Sequence, residues 1–127
     1  MTAASVAAVG IGAALGAWLR WGLGVAMNAL VPALPMGTLA ANLIGGYLVG
    51  IAVTIFEQYG GLAPELRLFV ITGFLGGLTT YSTFSAESVS LLIAGRYGWA
   101  IAHSLAHLLG SICMTILGIA SVRALQG

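Results

Sequence analysis

Four long apolar stretches, separated by short connectors, most limit what this chain can fold into. They lie at about residues 6–27, 37–56, 66–93 and 98–122, and a helix needs about 20 apolar residues to cross a bilayer. With 60% hydrophobic and only 6% charged residues, the composition is that of an integral membrane protein and not of a soluble globular domain. We predict one all-α membrane domain over residues 1–127 with four transmembrane helices, and no room for a nucleotide, a haem or a catalytic loop.

The third stretch is longer than one straight crossing requires and contains a run that is poorly suited to a continuous helix. Gly76 and Gly77 are followed from position 79 by Thr-Thr-Tyr-Ser-Thr, and glycine is a weak helix former. Backbone opened at membrane depth is tolerated only where it is buried in protein or lines a polar cavity, so its freed carbonyls are candidate ion ligands. We predict that the third helix is broken near its centre into two half-helices.

The polar residues within the stretches are mainly groups that donate hydrogen bonds. The fourth stretch carries a polar residue at every fourth position, and no lysine lies in any stretch. Neutral donors replace water around a small, strongly hydrated anion without trapping it as a fixed charge would. The candidates are Asn42, Ser82, Thr83, His103, His107, Ser111 and Thr115.

Two further candidates each have a structural alternative. Tyr81 and Phe84 share a helix face, and their positive ring edges suit either contact with an anion or ordinary packing. Glu87 is the only acid well inside a stretch, and a carboxylate there indicates a functional site by default. It lies one turn beyond Thr83, whose hydroxyl could instead satisfy it. Both pairs of alternatives stay open.

The histidines and Asn42 also have alternatives. An i, i+4 pair such as His103 and His107 can meet one metal ion, but no cysteine or carboxylate in the fourth stretch completes a metal set. Donors in a polar track are therefore the preferred interpretation of the pair. A lone asparagine in a membrane helix either joins two helices or lines a pore, and Asn42 suits both.

Small residues and charges bear on assembly. Gly12 with Gly16 and Gly46 with Gly50 form faces that let another helix approach closely, which favours a homo-oligomer, most simply a dimer. The net charge of +1 is too small to indicate a nucleic-acid partner. Arginines flank both sides of the predicted membrane domain, so the positive-inside rule has almost no bias to act on. We therefore hypothesise dual topology and an antiparallel dimer.

Two motifs give the chain a resemblance to a known family. Gly-Thr-Leu-Ala-Ala-Asn-Leu-Ile-Gly-Gly at residues 37–46 and Gly-Gly-Leu-Thr-Thr-Tyr-Ser-Thr-Phe-Ser at residues 76–85 closely resemble the bacterial fluoride channels of the Fluc, or CrcB, family. The resemblance extends over the whole chain in length and four-span plan. It implies an antiparallel dimer in the bacterial inner membrane, with two fluoride pores that protect the cytoplasm from fluoride.

The resemblance also implies roles for particular residues. The backbone carbonyls of Gly76 and Thr79 from both subunits would surround one structural sodium ion that is not conducted. Arg20 would face an aqueous vestibule, and Ser82, Thr83 and Glu87 would form a polar cluster beside the fluoride path. The path itself would be lined by Asn42, Tyr81, Phe84 and the track of the fourth helix, in which His103 and His107 replace the more familiar tyrosine or serine.

The main alternative is a proton-coupled transporter of the small-multidrug type, which is also a four-span antiparallel dimer. That class relies on a carboxylate in its first span, and the first stretch here has none. A purely structural membrane subunit is a third alternative. It leaves the break, Asn42 and the polar track without a common explanation.

The weak charge bias predicts that the chain inserts in both orientations. A tag at the C-terminus, scored in cells for accessibility from either side of the membrane, should give a mixed signal. The reason is that neither end of the predicted helix bundle carries an excess of arginines that would fix its orientation. A strictly one-sided signal would contradict dual topology.

Overall fold

The computed structural model describes all residues, 1–127, and every regular element is helical. We number the helices α1 (Ala3–Met27), α2 (Met36–Gln58), α3 (residues 64–78), α4 (Tyr81–Ile93) and α5 (Tyr97–Gln126). Four segments are long and apolar enough to cross a membrane, and the third of them, Pro64–Ile93, contains both α3 and α4. The prediction of an all-α protein is confirmed, as is the prediction of four segments able to span a membrane.

The break in the third span lies where the sequence predicts it. Helix α3 starts as an α-helix, winds as a π-helix over Leu68–Leu75 and closes with one α-helical turn, Gly76–Leu78. Thr79 and Thr80 are extended, and α4 starts at Tyr81 with the Thr80 hydroxyl accepting from the amide of Thr83. A π-helical segment is rare and often adjoins a functional site, and here it leads directly into the break.

Helices α1 and α3 touch backbone to backbone through glycine. A methyl group on Gly12 or Gly16 would collide with the α3 backbone, and one on Gly77 would collide with the backbone of Ala13. This close approach places the end of α3 against α1, where the fully buried Leu78 lies. The core continues from Leu78 through Leu75 to small residues of α2.

Helices α2 and α5 form a second close pair. Gly46 and Gly50 lie against the backbone of α5 at Ser111 and Thr115, and Gly118 lies against the backbone of α2. Both glycine faces predicted to receive a partner subunit are therefore occupied within the chain. These faces therefore give no support for an oligomer, because a small-residue pattern indicates a close helix contact without saying which helix makes it.

The loop before α2 is organised by a side chain from the end of α1. Asn28 Oδ1 accepts hydrogen bonds from the amides of Gly37 (2.8 Å) and Thr38 (3.1 Å). It thus satisfies two of the donors that the start of a helix leaves free. The contact sets the register at which α2 enters the domain and so the positions of Thr38 and Asn42.

The α2–α5 contact predicts that Gly50→Ala destabilises the fold. Its methyl group would collide with the Thr115 carbonyl, and overpacking of this kind costs roughly 1–3 kcal/mol. Reversible unfolding in mixed micelles measures the effect. The matched control is Gly22→Ala in α1, where no other group lies within 4 Å and alanine is the better helix former. Equal stability of the two variants would contradict the packing described.

Candidate functional site

The break is held by one side chain from α2. Asn42 Oδ1 accepts from the Thr80 amide at 2.8 Å, and Asn42 Nδ2 donates to the Thr80 carbonyl at 3.0 Å. Both polar groups of the Thr80 backbone are thus satisfied outside any helix, as an apolar environment requires. Asn42 Nδ2 also lies 2.9 Å from His107 Nδ1. Asn42 therefore joins α2, the break and α5.

The carbonyls before the break have different partners. The amide and hydroxyl of Thr79 both donate to the Leu75 carbonyl, at 3.0 and 2.8 Å. Arg20 Nε donates to the Gly77 carbonyl at 3.1 Å. Because the Thr80 amide turns to Asn42, it does not donate to the Gly76 carbonyl four residues earlier. Gly76 itself is exposed, so the break leaves this carbonyl without its helical hydrogen bond on an exposed residue.

An open groove of about 510 Å³ lies beside the break. Helices α2, α3, α4 and α5 all contribute to its wall. Seven of the residues predicted for the site line it: Asn42, Gly76, Thr79, Tyr81, Phe84, His107 and Ser111. Two polar residues that the sequence interpretation missed, Thr80 and Ser104, also line it. The proposed backbone ligands and the proposed donors therefore share one groove.

Four aromatic rings form a connected cluster beside the groove. Tyr81 and Phe84 meet edge to face with centroids 5.5 Å apart, and Tyr81 is 82% exposed. The Phe84 ring lies 4.8 Å from the His107 ring and stacks on His103 at 5.3 Å. The two imidazoles are 4.6 Å apart. Phe84 thus contacts every ring of the cluster, while Tyr81 lies at its outer end.

Glu87 is held between α2 and α5. The Thr38 hydroxyl donates to Glu87 Oε2 at 2.7 Å, and His103 Nε2 lies 2.9 Å from Glu87 Oε1. The other nitrogen of the fully buried His103 lies 2.7 Å from the Ser88 hydroxyl. The interpretation in which Thr83 satisfies Glu87 is therefore wrong, because the carboxylate turns away from its own helix.

The other predicted polar residues form no hydrogen bond with Glu87 or His103. Ser82 is exposed, with its hydroxyl 3.4 Å from that of Thr80, and Thr83 is bonded through its amide to Thr80. The Thr115 hydroxyl donates to the carbonyls of Gly46 (2.9 Å) and Ser111 (3.0 Å). Its single hydrogen is therefore used to join α2 to α5. Ser111, by contrast, lines the groove.

His107 contains the one buried side-chain polar atom without a hydrogen-bond partner, Nε2. An unpaired buried donor or acceptor is costly, at about 1–3 kcal/mol, and such a group in a native structure calls for an explanation. The ligand atoms of His107, His103 and Glu87 lie within 4.8 Å of one another. The carboxylate that the fourth stretch lacks thus comes from α4, which the sequence interpretation did not foresee.

Some sequence signal for the missed residues did exist. Thr38 lies four positions before Asn42 on the same face of α2, which is the spacing of neighbours on a helix. Ser88 and Ser104 each follow a predicted site residue directly, but adjacent residues point to different helix faces. Only the packing of α4 on α5 brings these two hydroxyls within 3.2 Å.

Comparison with known proteins identifies the family. Residues 7–119 match the family model of the CrcB-like protein, Camphor Resistance (CrcB). A protein of Cupriavidus pinatubonensis named fluoride-specific ion channel FluC is 64% identical over 118 residues, which cover 93% of this chain and 94% of the relative. Proteins of the same name from Nitrosospira multiformis and Pseudomonas putida are 60% identical over 119 residues and 55% identical over 123 residues. These matches cover 94% and 97% of this chain, and 93% and 97% of the two relatives. The resemblance seen in the two motifs is thereby confirmed, and this chain belongs to the CrcB-like family.

Proposed function

We propose that this protein is a fluoride-selective channel that lets fluoride leave the cell passively and so protects it from fluoride. Its relatives bear the name fluoride-specific ion channel, and membership of this family makes the chain a membrane channel and not an enzyme. The observation in the structure that carries the proposal is the buried, unpartnered Nε2 of His107, a residue that lines a groove without lysine or arginine. The identity of the conducted ion, fluoride, is taken from the name of the relatives.

The groove suits a small anion because it offers hydrogen-bond donors and ring edges without a fixed charge. His107, Ser111 and Ser104 supply imidazole and hydroxyl groups along α5, and Phe84 lies against the imidazoles. Such groups compensate for the loss of hydration while leaving the ion free to move on. Asn42 positions the wall of the groove and does not serve as a free donor, because its side-chain amide is hydrogen-bonded to Thr80 and His107.

A neighbouring cluster is proposed to tune the path. Glu87 is bonded to His103, the most buried ring of the aromatic cluster. Ser82, Thr83 and Thr115 do not line the groove, and we place them beside the path. Arg20, bonded to the last turn of α3, belongs to the proposed vestibule. The inner membrane of a bacterium is the proposed location, where neutral HF enters and dissociates and an exit for the anion is of use.

We propose that the working unit is an antiparallel homodimer with two fluoride paths. The groove is open along one side in a single chain, and Tyr81 beside it is 82% exposed. A conducting path through hydrocarbon needs a closed wall, and a second copy of the chain would supply it. The nearly balanced arginines support insertion in both orientations.

A structural sodium ion is proposed at the centre of this dimer. The Gly76 carbonyl does not receive the Thr80 amide, because that amide is bonded to Asn42. Sodium prefers oxygen ligands, and backbone carbonyls released by a helix break are known to bind it. Gly76 and Thr79 from each subunit fit this requirement, and the ion would offset the negative ends of the carbonyl dipoles.

The second candidate is a proton-coupled transporter, favoured by the bonded Glu87–His103 pair inside the membrane domain. Intramembrane acids and histidines form proton relays in such proteins. The first helix, however, contains no carboxylate, which is the feature that this class of transporter uses.

Purified protein in liposomes loaded with fluoride should release it once a potassium ionophore balances the charge. Release should need no proton gradient, because the path binds the anion directly. Chloride-loaded liposomes should release little. Fluoride release that depends on a proton gradient would favour the transporter, and equal release of both anions would contradict a selective fluoride path.

Phe84→Ile should slow fluoride release by about two- to tenfold. The change keeps bulk but removes the positive ring edge that would contact the anion. A loss of roughly 0.5–1.5 kcal/mol at the barrier gives a change of this size, since about 1.4 kcal/mol corresponds to a tenfold rate change. Phe56→Ile is the matched control, because Phe56 packs on the core away from the groove. Equal rates for both variants would return Phe84 to a packing role.

A further inference from the structure

The orientation of the Asn42 side-chain amide is determined by its two backbone partners. The Thr80 amide can only donate, so the Asn42 atom 2.8 Å from it is the oxygen. The Thr80 carbonyl can only accept, so the Asn42 atom 3.0 Å from it is the nitrogen. Exchanging these two atoms would set donor against donor and acceptor against acceptor. The amide therefore has one possible orientation.

That orientation places the hydrogen of the His107 ring. Asn42 Nδ2 has two hydrogens, and one is donated to the Thr80 carbonyl. The second is donated to His107 Nδ1, 2.9 Å away, so Nδ1 must offer a lone pair. A neutral imidazole carries one N–H, which is then on Nε2, the buried atom that has no partner. Asn42 thus makes His107 Nε2 a free donor.

The residue types of the cluster formed by Glu87, His103 and His107 suit a metal ion. The same hydrogen bonds nevertheless disfavour metal binding there. Two histidines and a glutamate with ligand atoms within 4.8 Å are a common zinc ligand set. A metal-bound imidazole presents a lone pair to the metal and donates its other N–H to an acceptor. His107 has the reverse arrangement, because its Nδ1 receives a hydrogen from Asn42. Glu87 and His103 alone are a weak set.

We propose that Asn42 is the positioning residue that makes this cluster a donor to anions instead of a ligand set for a transition metal. It does so by placing the His107 proton on Nε2. The position of the proton follows from hydrogen bonds within the chain, whereas its use in conduction rests on the proposed function. Asn42 therefore determines which class of ion the cluster accepts.

Nitrogen NMR of the whole protein in lipid vesicles tests the placement of the proton. The chain has only two histidines, so ¹⁵N-histidine labelling gives two imidazole spectra, and His103→Gln assigns them. The expected result is a protonated Nε2 and an unprotonated Nδ1 for His107. A proton on Nδ1, or on both nitrogens at neutral pH, would overturn the proposal.

Asn42→Asp provides a test by gain of binding. A carboxylate accepts hydrogen bonds only, so the His107 proton should move to Nδ1 and free the Nε2 lone pair. Zinc ions alone are the probe, and we expect at least about tenfold tighter zinc binding than in the original chain, a difference of roughly 1.4 kcal/mol. The control Asn42→Asp with His107→Gln should lose this gain. A folded Asn42→Asp protein that keeps the proton on Nε2 would contradict the proposal, and if the variant does not fold, the wild-type spectrum decides.

Addition of fluoride to the labelled protein separates this inference from the proposed function. Fluoride at His107 should shift the Nε2–H resonance, and chloride at the same concentration should not. The expected tautomer without any fluoride response would count against the fluoride function while supporting the role of Asn42 in placing the proton. A fluoride response from a ring protonated on Nδ1 would do the opposite.

Discussion

The need to satisfy backbone polar groups inside a membrane is the constraint on which the rest of this structure depends. The third span opens at Thr79 and Thr80, and each polar group that such a break leaves buried and unpaired costs roughly 1–3 kcal/mol. Asn42 bonds both backbone groups of Thr80, and Arg20 bonds the carbonyl of Gly77. The break is therefore an ordered feature of the fold.

The same side chain carries this order into the groove. Through its bond to His107, Asn42 links the break to α5, so the backbone opening and the imidazole wall hold each other in place. Phe84 lies against both imidazoles and Glu87 bonds the deeper one. The result is a polar wall made of neutral donors and ring edges, which is the kind of lining that a small anion requires.

The sequence predicts well what depends on local chemistry and less well what depends on helix rotation. The spans and the break follow from apolar length and from the glycine and hydroxyl run, and both are confirmed. The glycine faces of α1 and α2 are real contacts, but they meet α3 and α5 and not a second subunit. The Thr38 hydroxyl donates to Glu87, which lies 49 positions away, because α2 and α4 are rotated so that these two faces meet. A local sequence pattern does not encode that rotation.

The central claim is that the groove forms part of a passive path for fluoride, and current across a planar bilayer tests it most directly. With unequal fluoride and equal chloride on the two sides, the account predicts a reversal potential that follows the fluoride gradient. The potential should not move when a pH difference is added or when the chloride gradient is varied. A reversal potential that follows chloride, or one that moves with the proton gradient, would contradict the account.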